Sequence, residues 1–395
     1  MLKFKSTIFS DENDIYVALQ SNKSKLSTNA LRKLAFKRGI IYPSFLNRDE
    51  LIGQISELPF TFSQLQELTN KLTPKINRDQ YSVKRIFGKF DLSKLNDVIE
   101  KVVENRPRFV GAENISHHQS IQTYIIEVDY TEFDFGRGKY QQKKRHGGYI
   151  QFLEKPNYVS IQYTYTKRID GILNEVIKMY YDTVNKDFSL QSIDLSPIID
   201  ASLRNEFIKS IYETSNSFMF LELAKVRVSK IHSILESSKE EIDSSIDDLD
   251  SDLIDDDEDK DTSKLLQPND DREYSIDNAQ FDGNLLNDAN EVNELCQNNF
   301  YRSRIKWKSK ALFLKDKPLI TFELAFDNKH QAKDLKFRII GKENIVENGL
   351  KEAVIGSEFD IVIRELEDCI FSSYDRVTAK IEQDKMPQPK EASNA

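Results

Sequence analysis

The chain has 395 residues, 39% hydrophobic and 31% charged, which is apolar material for two or three cores and too much for one small domain. Its net charge of −9 hides a sorting along the sequence, because residues 240–261 hold thirteen carboxylates against one Lys while residues 20–90 hold thirteen Lys and Arg against five acids. Two cysteines, Cys296 and Cys369, exclude a disulfide framework and lie in no CxxC or Cys/His cluster, which fits a reducing compartment. No secretory-type apolar region opens the sequence, and no run approaches the ~18 apolar residues that span a bilayer. A cytoplasmic protein without membrane contact is expected, and the wealth of Lys, Ile, Asn and Asp suits a bacterium with an AT-rich genome.

Residues 1–110 read as helical. Ser27 or Thr28 can cap a first helix whose buried stripe is Leu31, Leu34 and Ala35, and Gly39 stands where a left-handed C-terminal cap belongs. Asn47 with Glu50 three residues later reads as a capping box, after which Leu51, Ile55 and Leu58 share one face until Pro59 stops the helix. A third helix is expected over residues 63–72, packing through Leu65, Leu68 and Leu72.

The order of a leucine-rich helix, an Arg38-Gly39-Ile40 turn and then Arg48-Asp49-Glu50-Leu51-Ile52 resembles the SAP motif and the N-terminal helical domain of the transcription terminator Rho. The resemblance covers residues 26–58 only. It implies a small nucleic-acid-binding module in which Arg32, Lys33, Lys37 and Arg38 supply charge and the amides near Asn47 and Arg48 meet a phosphate at a helix N-terminus. The bulky residues 40–46 depart from the small polar turn of such motifs. A helical unit used only for packing or protein contact fits the same caps and stripe equally well.

Residues 111–235 read as an α+β domain. Tyr124, Ile126, Val128 and Tyr130 alternate with Ile125, Glu127, Asp129 and Thr131, and Val159, Ile161, Tyr163 and Tyr165 alternate with Ser160, Gln162, Thr164 and Thr166, so both runs are expected strands with one covered face. Ile172, Leu173, Val176, Ile177 and Tyr180, and then Leu203, Phe207 and Ile211, switch to helical spacing and are expected to lie on the sheet. Between the strands, residues 136–148 read as a long hairpin loop carrying Arg137, Lys139, Lys143, Lys144 and Arg145 around Tyr140. Such a loop can track a phosphate chain or simply be a solvated tip.

Residues 236–293 are expected to be an acidic disordered linker, serving as a spacer or folding back over basic surface as a mimic of a phosphate backbone. Residues 294–395 read as a second α+β domain ending in a loose tail. Ile320, Phe322, Leu324 and Phe326 form one strand face, Leu335, Phe337 and Ile339 another, and Phe359, Ile361 and Ile363 a third. Its opening strand is the most specific basic signal, since at period two Arg302, Arg304, Lys306, Lys308 and Lys310 project from one face and Tyr301, Ile305 and Trp307 from the other. Five like charges in a row call for something negative opposite: nucleic acid, an acidic partner or the chain's own linker. The alternative is an edge strand whose charges deter aggregation.

No GxxxxGK, GxGxxG, HExxH or GxSxG motif occurs. His117 and His118 have no ligand-spaced companion, and Glu127, Asp129, Glu132 and Asp134 alternate in a strand as solvent-facing acids, which leaves a metal-dependent nuclease as the least favoured reading. The fold expected is therefore multidomain α+β: a helical N-terminal module, then two mixed sheet and helix domains separated by the acidic linker. The function expected is non-enzymatic, without cofactor or metal: binding of nucleic acid, DNA ahead of RNA, through backbone phosphates. A bacterial DNA-maintenance or phage-defence complex would suit it. A protein-interaction adaptor with a purely structural SAP-like unit is the alternative.

Overall fold

The computed structural model describes residues 11–20, 26–72, 79–105, 113–133, 143–231, 277–283, 286, 289–343 and 351–385, with backbone alone at 66, 69–72, 143–145, 351, 384 and 385. Four short helices come first: α1 (Glu12–Gln20), α2 (Thr28–Phe36), α3 (Arg48–Ser56) and α4 (Phe62–Leu72). Their ends are written in the sequence. The Ser27 hydroxyl accepts the Ala30 amide at 3.3 Å, Gly39 takes a φ of 77° after α2, and Asn47 and Glu50 exchange side-chain to backbone bonds of 2.9 Å each. Leu31, Leu51, Ile52, Ile55 and Leu68 are fully buried in a cluster that these helices form among themselves.

Among the described residues twelve strands follow: β1 (Tyr81–Gly88), β2 (Asn114–Gln119), β3 (Thr123–Phe133), β4 (Lys143–Glu154), β5 (Val159–Thr164), β6 (Phe188–Ser192), β7 (Phe218–Lys230), β8 (Asn278–Asp282), β9 (Phe300–Ala311), β10 (Leu319–Asn328), β11 (Lys333–Glu343) and β12 (Lys351–Glu352). Five helices accompany them: α5 (Leu95–Asn105), α6 (Lys167–Thr183), α7 (Ala201–Glu213), α8 (Asn290–Gln297) and α9 (Ser357–Lys385). The strands expected in two separate sheets form one antiparallel sheet, ordered β2-β3-β4-β5-β1-β11-β10-β9-β7-β8, with β6 on β1 and β12 on β11.

The residues assigned by sequence to the helical part supply the strand at the centre of this sheet. Tyr81-Ser82-Val83-Lys84-Arg85-Ile86 carries apolar side chains for both faces: Ile86 enters the cluster made with α5 and α6, and Tyr81 and Val83 enter the cluster made with α7 and α9. The helical cover therefore changes face at β1. On the β3-β4-β5 side, Tyr124, Ile126, Ile150, Phe152, Ile161 and Tyr163 share one face under α5 and α6. On the β11-β10-β9-β7 side, Phe337, Phe322, Leu324, Ile305 and Trp307 face the other way, toward α7 and α9.

Two more expectations are corrected. Phe359, Ile361 and Ile363 are helical, because their brief alternation belongs to a longer period that buries Val362, Ile363, Leu366, Ile370 and Phe371 along α9. Lys143, Lys144 and Arg145 sit in β4 rather than in a loop, opposite Phe133, Glu132 and Thr131, because the β3–β4 ladder runs on past the apolar residues. The helix α9 is fixed by Glu367, whose carboxylate accepts from the Ser160 hydroxyl at 2.8 Å and from the Gln162 amide at 3.0 Å. Arg85 lies beside it, between the rings of Phe371 and Tyr158. The acidic run 240–261 falls between β7 and β8, outside the described residues.

Candidate functional site

With α7 and α9 on one face of β11-β10-β9-β7, the opposite face of these strands carries mostly polar side chains and, among the described residues, no apolar cluster. The strand β9 sets its character. From Arg304 to Ala311 the expected alternation holds, with Ile305, Trp307 and Ser309 buried and Arg304, Lys306, Lys308 and Lys310 between them partly open. At Ser303 it slips. The β7 register passes from Arg227 opposite Arg304 to Val228 opposite Arg302, so Ser303 is an extra residue on β9.

Beyond that bulge Arg302 turns to the helix side, only 3% exposed, with Nη1 3.3 Å from the Asn205 side-chain oxygen and Nη2 3.3 Å from that of Asn293. The row of five cations on one face is thus four, and Arg302 anchors α7 and α8 to the strand.

The negative groups expected from outside are partly built in. Glu323, directly opposite Lys306 and Arg338, is almost fully buried and bridges two guanidiniums: Nε of Arg304 donates to one oxygen, and Nε and Nη2 of Arg338 donate to the other at 2.5 Å. Lys308 reaches Glu222 at 3.0 Å, Lys336 reaches Asp327 at 2.9 Å and Lys225 reaches Asp282 at 3.3 Å. The balance stays positive. Among the described residues of this face, Lys225, Arg227, Arg304, Lys306, Lys308, Lys310, Lys336 and Arg338 stand against Glu222, Asp282, Glu323, Asp327, Asp334 and Glu343. Moreover, the ladder places Arg227 directly opposite Arg304 and Lys225 directly opposite Lys306, like-charge oppositions that Glu323 beside Arg304 and Asp282 beside Lys225 offset in part.

At the β1 end the face is bounded by acids. Lys84 Nζ lies 2.8 Å from Asp170 on α6, which also accepts from the Tyr163 hydroxyl at 2.8 Å and the Asn174 amide at 2.9 Å. Burial works to raise the Asp170 carboxyl, but Lys84 and these hydrogen bonds outweigh it and hold the group below its ordinary value. Asp334 is shifted the other way, by burial first and then by Asp170 and Asp327.

The cations of α2 and α3 have different surroundings. Arg32 donates to the carbonyls of Pro43, Ser44 and Leu46 at 3.1, 2.8 and 3.0 Å, tying the crossing segment to α2. Arg48 donates to the Leu19 carbonyl at 2.9 Å and the Gln20 side chain at 2.9 Å, closing the C-terminal end of α1. Arg38 bonds the Pro59 carbonyl and lies 4.3 Å over the Phe60 ring. Lys37 pairs with Glu67 at 2.8 Å, and Lys33 is exposed. Three of the five candidate phosphate contacts of this region thus hold the helices together.

Arg137 and Lys139 lie outside the described residues. The backbone of Lys143, Lys144 and Arg145 is five strands from β9, so the two basic segments are not brought together. Glu127 and Asp129 are exposed, and no group of three metal-ligating side chains occurs among the described residues. Arg227, Lys336, Arg338 and Glu323 were not singled out by sequence reasoning, although their alternation along β7, β11 and β10 carries the same period-two signal as β9.

No family model matches the sequence, and no curated protein matches it. No helix among the described residues is long and apolar enough to cross a membrane.

Proposed function

We propose that this chain is a non-enzymatic nucleic-acid-binding protein that holds the phosphate backbone on the open basic face of β7, β9, β10 and β11, with DNA preferred to RNA and little reading of bases. The observation that carries it is the excess of cations on this face, with Lys306, Lys308 and Lys310 in a row along β9 and Lys225 opposite Lys306, on a face that no helix among the described residues covers. A polyanion relieves this excess and releases its own counterions in doing so. Phosphates spread along a strand match cations spread over four strands better than a compact partner would. On this reading the chain is multidomain: α1 to α4 form a module of their own that adds Lys33 and Lys37, and the linker between the sheet-forming segments ends before residue 277 rather than at 293, because Asn278–Asp282 is the strand β8 paired to β7 and α8 starts at Asn290. The setting is a bacterial DNA-maintenance or phage-defence complex.

The test is binding of labelled duplex DNA, single-stranded DNA and RNA across a salt series, beside a Lys306→Ala/Lys310→Ala variant. The wild-type logarithmic salt slope should be steep, and the variant should lower it by about 2. Absence of binding at low salt, or an unchanged slope, overturns the proposal.

One observation favours the adaptor as the second reading. Phe36, Ile41 and Phe45 of α2 and the crossing segment are 66%, 80% and 83% exposed, an unusual amount of apolar surface for so small a helical group. Salt-insensitive capture of a protein partner, lost in Ile41→Ser/Phe45→Ser, would support that reading.

A further inference from the structure

The strand β2 is one end of the sheet, and its outer side pairs with no strand among the described residues. The bonds around it decide which backbone groups point outward. One step beyond the β2–β3 register the Ser120 amide donates to the Thr123 carbonyl at 2.7 Å. Hydrogen-bonded pairs alternate along an antiparallel ladder, so Asn114, Ser116 and His118 bond to β3 while Ile115, His117 and Gln119 direct their N–H and C=O away from it. The next ladder agrees: the Glu154 amide donates to the Gln122 carbonyl at 2.9 Å, which turns Tyr124, Ile126 and Val128 toward β4 and leaves the residues between them for β2.

We infer that this edge joins a second copy of the chain, β2 against β2 in antiparallel register about a two-fold axis at His117, so that two sheets become one.

Charge favours a copy of the same strand. Residues 114–126 contain no Lys, Arg, Asp or Glu, the longest such run in a chain that is 31% charged. Edge strands that stay alone are commonly guarded by charge, proline or a bulge. The other end of the sheet is guarded in this way, with Asp277 just before β8 and Asp282 within it, whereas β2 has neither charge nor proline and keeps one register along its whole length. About an axis at His117, Ile115 meets Gln119 of the second copy and His117 meets its own counterpart. No carboxylate, ammonium or guanidinium is set against its like across the joint.

Packing favours a whole copy over a lone foreign strand. The Tyr124 hydroxyl donates to Asn96 at 2.7 Å, which places α5 over β3. The apolar cluster beneath α5 and α6 ends at Ile115, which is half-buried, with His117 and Gln119 exposed beside it. Across the joint two β2 strands lie about 4.8 Å apart and two β3 strands about 14 Å apart. The α5 helices of both copies then flank the shared strip and cover Ile115 from two sides. A foreign strand would bond the same amides and bring no such cover.

The experiment is sedimentation equilibrium of the full chain without nucleic acid, in a concentration series reaching about 100 μM. The wild type should pass from monomer to dimer and no further. His117→Pro removes from each copy an outward N–H that the β2–β3 ladder does not use, so it should raise the dissociation constant at least about tenfold. Its melting temperature should match that of wild type at a concentration where both are monomeric. His118→Pro, which removes an inward N–H, should lower that temperature instead. His117→Lys and His117→Glu should each stay monomeric alone and dimerise when mixed, because the axis sets residue 117 against itself.

A wild type that stays monomeric throughout overturns the inference, and so does a dimer that persists unchanged in His117→Pro and in both charged variants. A mixture of the two charged variants that dimerises no better than either alone overturns the axis at His117.

Discussion

The arginines of the first helices and those of the central strands are the same residue type in opposite circumstances. Arg32 and Arg48 end on backbone carbonyls that the helices and the crossing segment would otherwise leave unsatisfied. Arg227 and Arg304 are set against each other across a ladder, with one buried carboxylate shared between Arg304 and Arg338. The first arrangement stabilises the fold and leaves few donors over. The second weakens the fold slightly and leaves an excess of positive potential on the surface. A cation's contribution to binding is therefore read from what its donors already hold, and not from the density of Lys and Arg along the sequence.

The comparison can be broken by substitution. The largest effect is expected for Glu323→Ala, which removes the carboxylate between two partly buried guanidiniums and should cost about 3–5 kcal/mol in urea unfolding. Next comes Arg32→Ala, expected to cost about 1.5–3 kcal/mol and to open residues 40–46 to protease while leaving the salt slope of nucleic-acid binding unchanged.

Lys306→Ala should separate affinity from stability. Relief of the opposition to Lys225 and loss of the opposition to Glu323 offset each other, so stability should change by less than about 0.5 kcal/mol, while the salt slope of binding falls by about 1. Loss of both stability and affinity would mean that Lys306 belongs with Arg32 and not with the open face.

The smallest effect is expected at Asp334. Its carboxyl is raised in the folded state, so ionisation opposes folding above the folded-state value and has no effect below the ordinary carboxylate range near 4. Asp334→Asn should therefore stabilise at pH 7 by less than about 0.5 kcal/mol, and that gain should vanish by about pH 3.5. The backbone φ of 57° at this position suits Asn as well as Asp.

Much of this was legible locally. The caps at Ser27 and Asn47, the turn at Gly39 and the alternation along β3, along β10 and along β9 from Arg304 onward depend on residues a few positions apart, and the structure has them where the spacing puts them. The strand β5, expected to have one covered face, is buried on both, because α9 brings Glu367 onto Ser160 and Gln162 on the side opposite α6. What escaped depends on distant partners. Nothing in Arg32 announces that its acceptors are the carbonyls of residues 43, 44 and 46. Nothing in Ser303 announces an extra residue, because a bulge exists only relative to the β7 register. The strand β1 was missed for a related reason: its apolar side chains serve two clusters on opposite faces, so it shows no single apolar stripe. The acidic groups facing β9 were sought outside the fold because β10 and β7 had not been placed beside it.

The strand β1 also imposes a timetable on synthesis. Tyr81 pairs with Phe337, more than 250 residues later, so at roughly 5–20 residues per second the ribosome needs about 13–50 s to deliver the partner. An unpaired strand edge is an invitation to neighbouring nascent chains for all of that time. The short strand β6 arrives much earlier and occupies the same edge from Lys84 to Gly88, leaving only the Tyr81 end waiting. It is a placeholder as much as a structural strand, and a chain with β6 disabled should show its defect first as aggregation during translation.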